Sequence, residues 1–234
     1  AFSAPVTTTP EITFVLPTVV VTGVVVNDIG QPVFNAQVSG PGACAVQSSD
    51  PQGRIAAYYP AAGSDNLSVT RSGFGSLPVL YGRATGSQNL IVLPPATNVI
   101  SRSHFEVSGA WVFGGNAGYT AQAHSGTRGA AITGTGSIQQ IISAAVPAGS
   151  ALSLMLRANN AEIHDSLLVR LESDTDSAQA SPALISTWTH VWLDAGVLTG
   201  QFVTLTIEAA DNGSAGLVAF LDEITFGPTA PGGH

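Results

Sequence analysis

Five histidines, a single cysteine and scattered carboxylates are the residues of this 234-residue chain that could catalyse a reaction or hold a metal. His104, His124, His164, His190 and His234 lie far apart. None falls in the His-x-x-x-His or His-Glu-x-x-His spacing that sets two imidazoles on one helix face for zinc. Cys44 stands in Gly-Ala-Cys-Ala, without the local signature of a catalytic thiol. With no second cysteine it forms no intramolecular disulfide, and the expectation is a small buried apolar residue. No Gly-x-Ser-x-Gly elbow occurs. Gly114-Gly115 and Gly134-x-Gly136 match neither the dinucleotide nor the phosphate-loop pattern and read as loop glycines. Asp174 and Asp176 alternate with Ser and Thr in LESDTDSAQ. The Gly and Glu that complete a calcium loop are missing there, so a solvated hairpin tip is expected. No catalytic residue is assigned, and the chain is read as a non-enzyme.

Charge narrows the partners. All seven basic residues are arginines, and 15 carboxylates leave a net charge of −8. A phosphate-binding surface has nothing to build on, so nucleic acid is not an expected partner. Hydrophobic residues make up 44% of the chain, yet no window approaches the roughly 18 to 20 unbroken apolar residues that span a bilayer. The longest apolar run, residues 19–26, is broken by Thr22 and Gly23 and has the length of a strand. Low charge here accompanies Ser, Thr, Gly and Ala, as in secreted β-proteins. A chain that starts at Ala1 without methionine adds to the expectation of an extracellular, secreted or cell-surface protein.

The elements that would position any site are strands. Short β-rich runs punctuated by Gly, Pro, Asn and Asp recur throughout, and no stretch holds a helical period over three turns. Residues 137–146 come nearest, but Pro147 and two isoleucines favour a strand there. Leu93-Pro94-Pro95-Ala96-Thr97 reads as a stiff linker. The expected organisation is an N-terminal arm at 1–17, a first domain at 18–95, a second at 97–227 and a linker-like tail at 228–234.

The first domain carries VTGVVVNDIGQPVFNAQV, SSDPQGRIAAYYP and LSVTRSGF: strands separated by Asp-x-Gly and Asp-x-x-Gly turns. Asp28 and Asp50 are expected to accept backbone hydrogen bonds in those turns, with Gly30 and Gly53 supplying the permissive backbone angles. This pattern resembles the carboxypeptidase regulatory-like domain, which implies a prealbumin-type Greek-key sandwich and a spacer or adhesion role. The second domain opens with SHFEVSGAW and closes with AFLDEITFG. In between, Leu152-Leu154-Leu156 and Val203-Leu205-Ile207 alternate with Ser, Thr and Arg. Its order resembles the jelly-roll carbohydrate-binding modules. The whole is expected to be all-β, with two tandem β-sandwiches and an extended arm.

That second resemblance implies a structural calcium ion, the one cofactor expected. Glu106 of the Phe-Glu pair and Asp222 of Leu-Asp-Glu would be its carboxylate ligands, and carbonyls of the turn Ser125-Gly126-Thr127-Arg128 would complete an oxygen shell. The alternative reading has the two carboxylates capping strands or pairing with Arg128. It also implies aromatic rings that stack on sugars. Trp111, Trp188 and Trp192 are the only tryptophans, and Tyr119, in the loop GGNAGYT, is the best-placed ring for a glycan contact. The sheet face of Ser153, Met155 and Arg157 carries no aromatic.

Ahead of both domains lies PEITFVLPT, in which Ile12, Phe14 and Leu16 would share one face of a six-residue strand between Pro10 and Pro17. An isolated strand is unstable, and exposing each of these side chains forfeits roughly 1.5 to 3 kcal/mol. The arm is therefore expected to add a strand to an identical neighbour, giving a head-to-tail homopolymer. The alternative is that it folds back on its own domain. The first functional expectation is a subunit of an extracellular filament or surface layer. The second is a carbohydrate-binding accessory module or adhesin with glycans as partners.

Overall fold

The computed structural model describes residues 18–39, 47–60, 66–76, 81–82, 88–213 and 215–230. The arm with Ile12, Phe14 and Leu16 lies outside the described residues, as does Cys44. What is described is all-β, and its helical content is a single 3-10 turn at Gly196–Leu198.

The first unit contains β1 (Thr18–Val26), β2 (Gln37–Ser39), β3 (Gln47–Ser48), β4 (Arg54–Pro60), β5 (Asn66–Thr70), β6 (Tyr81–Gly82) and β7 (Gln88–Val92). The β-branched run TVVVTGVVV suits a central strand. β1 pairs antiparallel with β4 and parallel with β7. A second sheet runs β3-β2-β5-β6. Val21, Val25, Val33, Val38, Ile55, Val69, Ile91 and Leu93 fill the space between them.

The turns are built as the Asp/Asn-Gly pattern dictates, with one correction. Asp50 Oδ1 accepts the Gln52 and Arg54 amides at 2.9 and 2.8 Å. In the earlier turn the acceptor is Asn27, whose Oδ1 takes the Ile29 and Gln31 amides at 3.2 and 2.8 Å. Asp28 instead turns toward Thr229, where its Oδ2 accepts the hydroxyl at 3.0 Å. Gly53 is irreplaceable at its position: φ is +73°, and a Cβ there would lie 2.3 Å from the Val25 carbonyl oxygen.

The second unit contains β8 (Val112–Thr120), β9 (Gly129–Ile141), β10 (Ser150–Asn159), β11 (Ser166–Glu172), β12 (Ser177–Ala180), β13 (Thr189–Asp194), β14 (Thr204–Ala210) and β15 (Val218–Pro228). Hydrogen bonding follows the order β12-β11-β14-β9-β15-β10-β13, with β8 also along β9. The long strand β9 belongs to two layers. Residues 130–133 pair with β15, and residues 136–141 pair with β14. Gly134, at φ +67°, sits at the change. β8 shifts register between Gly115 and Ala117 to follow the same bend. The inner faces meet in one core: Leu152, Leu154, Leu156, Leu221 and Phe226 from one layer, Ile138, Val169, Leu171, Leu205 and Ile207 from the other.

The segment expected to be a linker is packed. Pro94 and Pro95 are buried, and the Gly75 amide donates to the Pro94 carbonyl at 3.0 Å. The start of the tail is likewise bound. Pro228 ends β15, the Thr229 amide donates to Gly149 O at 3.0 Å, and Asn27 Nδ2 donates to Ala230 O at 3.0 Å. Val26 and Val92 of the first unit pack with Met155 of the second, flanked by Val24, Leu90 and Trp188. The two units therefore share a buried apolar contact.

Candidate functional site

The structure brings Glu106 and Asp222 to one loop, residues 124–128, between β8 and β9. Glu106 Oε1 accepts the Thr127 and Arg128 amides at 2.8 and 2.9 Å, and its Oε2 accepts the Thr127 hydroxyl at 2.8 Å. Asp222 Oδ2 accepts the His124 and Ser125 amides at 2.9 and 3.0 Å, and Oδ1 accepts the Glu223 amide at 2.8 Å. Arg128 places its guanidinium 4.0 Å from the centre of the Tyr119 ring. Opposite β10, the register of β15 shifts between Ser153 and Met155. Glu223 occupies this irregularity at φ +51°, and its Oε1 meets His124 Nδ1 at 3.1 Å.

The electrostatics follow from burial and neighbours. Burial, reinforced by the charge of Glu223, pushes Asp222 well above the usual carboxylate range. Burial works to raise Glu223 as well, but the charge and hydrogen bond of His124, with help from His104, outweigh it and hold Glu223 low. At Glu106 the donors from Thr127 and Arg128 outweigh burial and keep the carboxyl below its ordinary value.

A calcium ion takes about six to eight oxygens. Here the oxygens expected to face it receive N–H and O–H donors, two each at Glu106 Oε1 and Asp222 Oδ2. Among the described residues no group of three or more His, Cys, Asp or Glu side chains is placed to hold a metal. The geometry observed is that of a hydrogen-bonded loop clamp.

The other expected contacts are also enclosed. Tyr119 accepts the Gly109 amide at 2.9 Å and stands edge-on to Phe105 and Phe113, at 6.3 and 4.8 Å between ring centres. Its ring is thus occupied by protein contacts. The face of Ser153 and Met155 lies under the first unit: Met155 joins the shared apolar cluster, and Gly30 approaches His190. Ser153 Oγ and His190 Nε2 are 2.8 Å apart, a nucleophile–base pairing by distance. Ser153 is only 1% exposed, however, so substrate has no access to it. Burial holds His190 down to about 4. Trp188 belongs to the same junction, and Trp192 is half exposed at the edge strand β13.

An open groove lies on the other layer. Outward-facing residues there are fixed by alternation with the buried Ile138, Val169, Leu171, Leu205 and Ile207. Pairing aligns Gln179, Arg170, Thr206, Gln139 and Val112 in one row across β12, β11, β14, β9 and β8. A neighbouring row holds Glu172, Thr204 and Ile141, and the next holds Leu168, Glu208, Ser137 and Gly114. Five strands at about 4.8 Å spacing give a floor about 19 Å across. A hollow of about 500 Å³ lies over Gln139, Arg170, Thr204 and Thr206. Beyond Glu208 it continues as about 540 Å³ over Gly114, Gly136 and Ser137. Phe202 and Ile141, 67% and 77% exposed, wall one end. Gln139 Nε2 donates to Thr206 Oγ1 at 3.2 Å, and Arg170 pairs with Glu172 at 3.4 Å. The floor thus offers donors and acceptors held in place, beside exposed apolar side chains.

Sequence reasoning missed these residues. Alternation in SLLVRLES and TLTIEAA does reveal that Arg170 and Thr206 face away from a core. What it does not reveal is that the two strands are neighbours with β9, which sets Gln139 between Thr206 and Val112.

No protein-family model and no curated protein matches this chain. Among solved structures, the carbohydrate-binding module TmCBM61 in complex with β-1,4-galactotriose aligns at 15% identity and TM-score 0.46, covering 56% of this chain and 97% of that one. The CBM22-1 xylan-binding domain of Paenibacillus barcinonensis Xyn10C aligns at 18% identity and TM-score 0.42, covering 53% and 90%. The enzymatically active domain of bacteriophage CBA120 tailspike protein 4 aligns at 14% identity and TM-score 0.46, covering 63% of this chain and 24% of that one.

Proposed function

We propose that this chain is a non-catalytic, extracellular carbohydrate-binding protein that holds a polysaccharide segment across the outer face of β12, β11, β14, β9 and β8. The observation that carries this reading is the aligned row Gln179, Arg170, Thr206, Gln139, of which Arg170, Thr206 and Gln139 line the hollow beside Phe202 and Ile141. Sugars present hydroxyls that donate and accept, together with apolar C–H faces. A pocket recognises such a ligand by a few placed polar groups next to apolar or aromatic surface. The amide of Gln139, the hydroxyls of Thr204 and Thr206, and the guanidinium of Arg170 supply the first kind of contact. Phe202 and Ile141 supply the second. The buried face of the same unit, with Ser153, Met155 and His190, is reserved for holding the first unit, which serves as a rigid spacer resembling a carboxypeptidase regulatory-like domain.

The test is a panel of soluble polysaccharides titrated against the full chain by affinity electrophoresis and calorimetry. At least one binds, and Phe202→Ala or Gln139→Ala weakens it about tenfold, equivalent to about 1.4 kcal/mol, with an unchanged melting temperature. A ligand whose affinity is unaffected by both substitutions contradicts the reading.

A further inference from the structure

Three carboxylates, Glu106, Asp222 and Glu223, converge on the loop 124–128 where the opening segment of the second unit meets its last strand. We infer that this seam is closed by a metal-free lock of loop amides and a His124–Glu223 hydrogen bond, in place of the calcium ion that the family resemblance implies.

Direction of the donors carries the argument. The amides of His124, Ser125, Thr127 and Arg128 and the hydroxyl of Thr127 all point at Glu106 and Asp222, at 2.8 to 3.0 Å. A cation set between these carboxylates would face those hydrogens. Amides converging on a carboxylate satisfy its charge as a cation would, through several charge-assisted hydrogen bonds. The seam already spends its carboxylate oxygens in this way.

Glu223 is the remaining charge. It is buried, sits at φ +51°, and its Oε2 has no hydrogen-bond partner. A buried carboxylate without a partner is costly, and a hydrogen bond to a neighbouring side chain offsets that cost. His124 supplies that partner at 3.1 Å. The other titratable groups around Glu223 are Asp222 on its own strand, His104 from the opening segment, and His190 from β13. His104 and His190 act on it through charge only, and both are themselves held below the ordinary histidine value by burial. His124 alone among the described histidines bonds the carboxylate.

The experiment melts the purified full chain with a chelator and with added calcium chloride, beside His124→Gln. The lock predicts one melting temperature with chelator or calcium, no stoichiometric calcium by elemental analysis, and a lower melting temperature in His124→Gln. A melting temperature that drops with chelator and returns with calcium overturns the inference, as does one calcium per chain. If His124→Gln does not fold, the chelator and elemental measurements on the natural chain decide alone. If it folds with an unchanged melting temperature, the His124–Glu223 contact is no part of the lock and the inference fails.

Discussion

Asp28 and His190 face each other across the junction between the two units, and burial moves them in opposite directions. Burial raises Asp28 from its ordinary 3.8 to about 6, against the opposing hydrogen bonds of Thr229 and its own amide. Burial lowers His190 to about 4, partly offset by the charge of Glu223 and by the hydrogen bond to the Asp28 backbone. The raised carboxyl contributes stability that is full below its unfolded value and declines as pH rises through about 6. The lowered imidazole contributes stability that is present above its unfolded value and declines as pH falls toward about 4. Between these limits the two slopes oppose, and each substitution unmasks the other. Relative to the natural chain, Asp28→Asn gains stability as pH rises from about 4 to about 6, and His190→Gln gains as pH falls over that window. Urea denaturation at several pH values reads both, and pH-independent differences would show that neither group titrates as its burial demands.

The turns show how far single residues are legible. Asp50 and Gly53 do what their spacing announces, because an Asx side chain followed by a glycine at positive φ is a local arrangement. Gly53→Ala is expected to cost more than about 1 kcal/mol, since strain at positive φ adds to the clash with Val25 O; a melt within error of the natural chain would refute it. Asn27 was passed over in favour of Asp28 because both can cap such a turn. What separates them is Thr229, about two hundred positions away, to which Asp28 is drawn.

Among the elements, alternation made β10 and β14 readable, since their apolar faces point into one core. β9 was less so, because a strand that serves two layers changes its neighbours at Gly134 while its own sequence continues. Gly136 lies just beyond that bend, where a Cβ would stand 2.9 Å from Gly114 O and 3.0 Å from Ile132 Cγ2. Gly136→Val should therefore destabilise the β8–β9 pairing by about 1 to 3 kcal/mol. Leu205→Ala, in contrast, removes volume from the closed core and should cost about 2 to 5 kcal/mol. Chemical denaturation distinguishes these magnitudes, and a neutral Leu205→Ala would mean that the two layers do not share a core. The Pro94-Pro95 segment looked like a spacer because prolines stiffen chains; burial against Phe74 and Gly75 is a tertiary fact that composition does not carry.

For the whole molecule, the sharing of Met155 with Val26 and Val92 makes the two units mutually dependent. Met155→Asp places a carboxylate in that cluster and should weaken both. One cooperative melting transition is expected of the natural chain, and two well-separated transitions would contradict the packed junction. The junction also assigns the two outer faces of the second unit: one is buried in holding the first unit, the other is left open. Only knowledge of strand order distinguishes them, which is why the sequence points to Tyr119 and not to Gln139, Arg170 and Thr206. The measurement that decides between these faces is a polysaccharide titration followed by backbone amide shifts of the full chain. The account predicts that the perturbed residues cluster on β9, β11 and β14 around Gln139, Arg170 and Thr206, and that Phe202→Ala reduces binding about tenfold. Perturbations confined to the Tyr119 loop or the β13 edge, with Phe202→Ala binding as well as the natural chain, would contradict it.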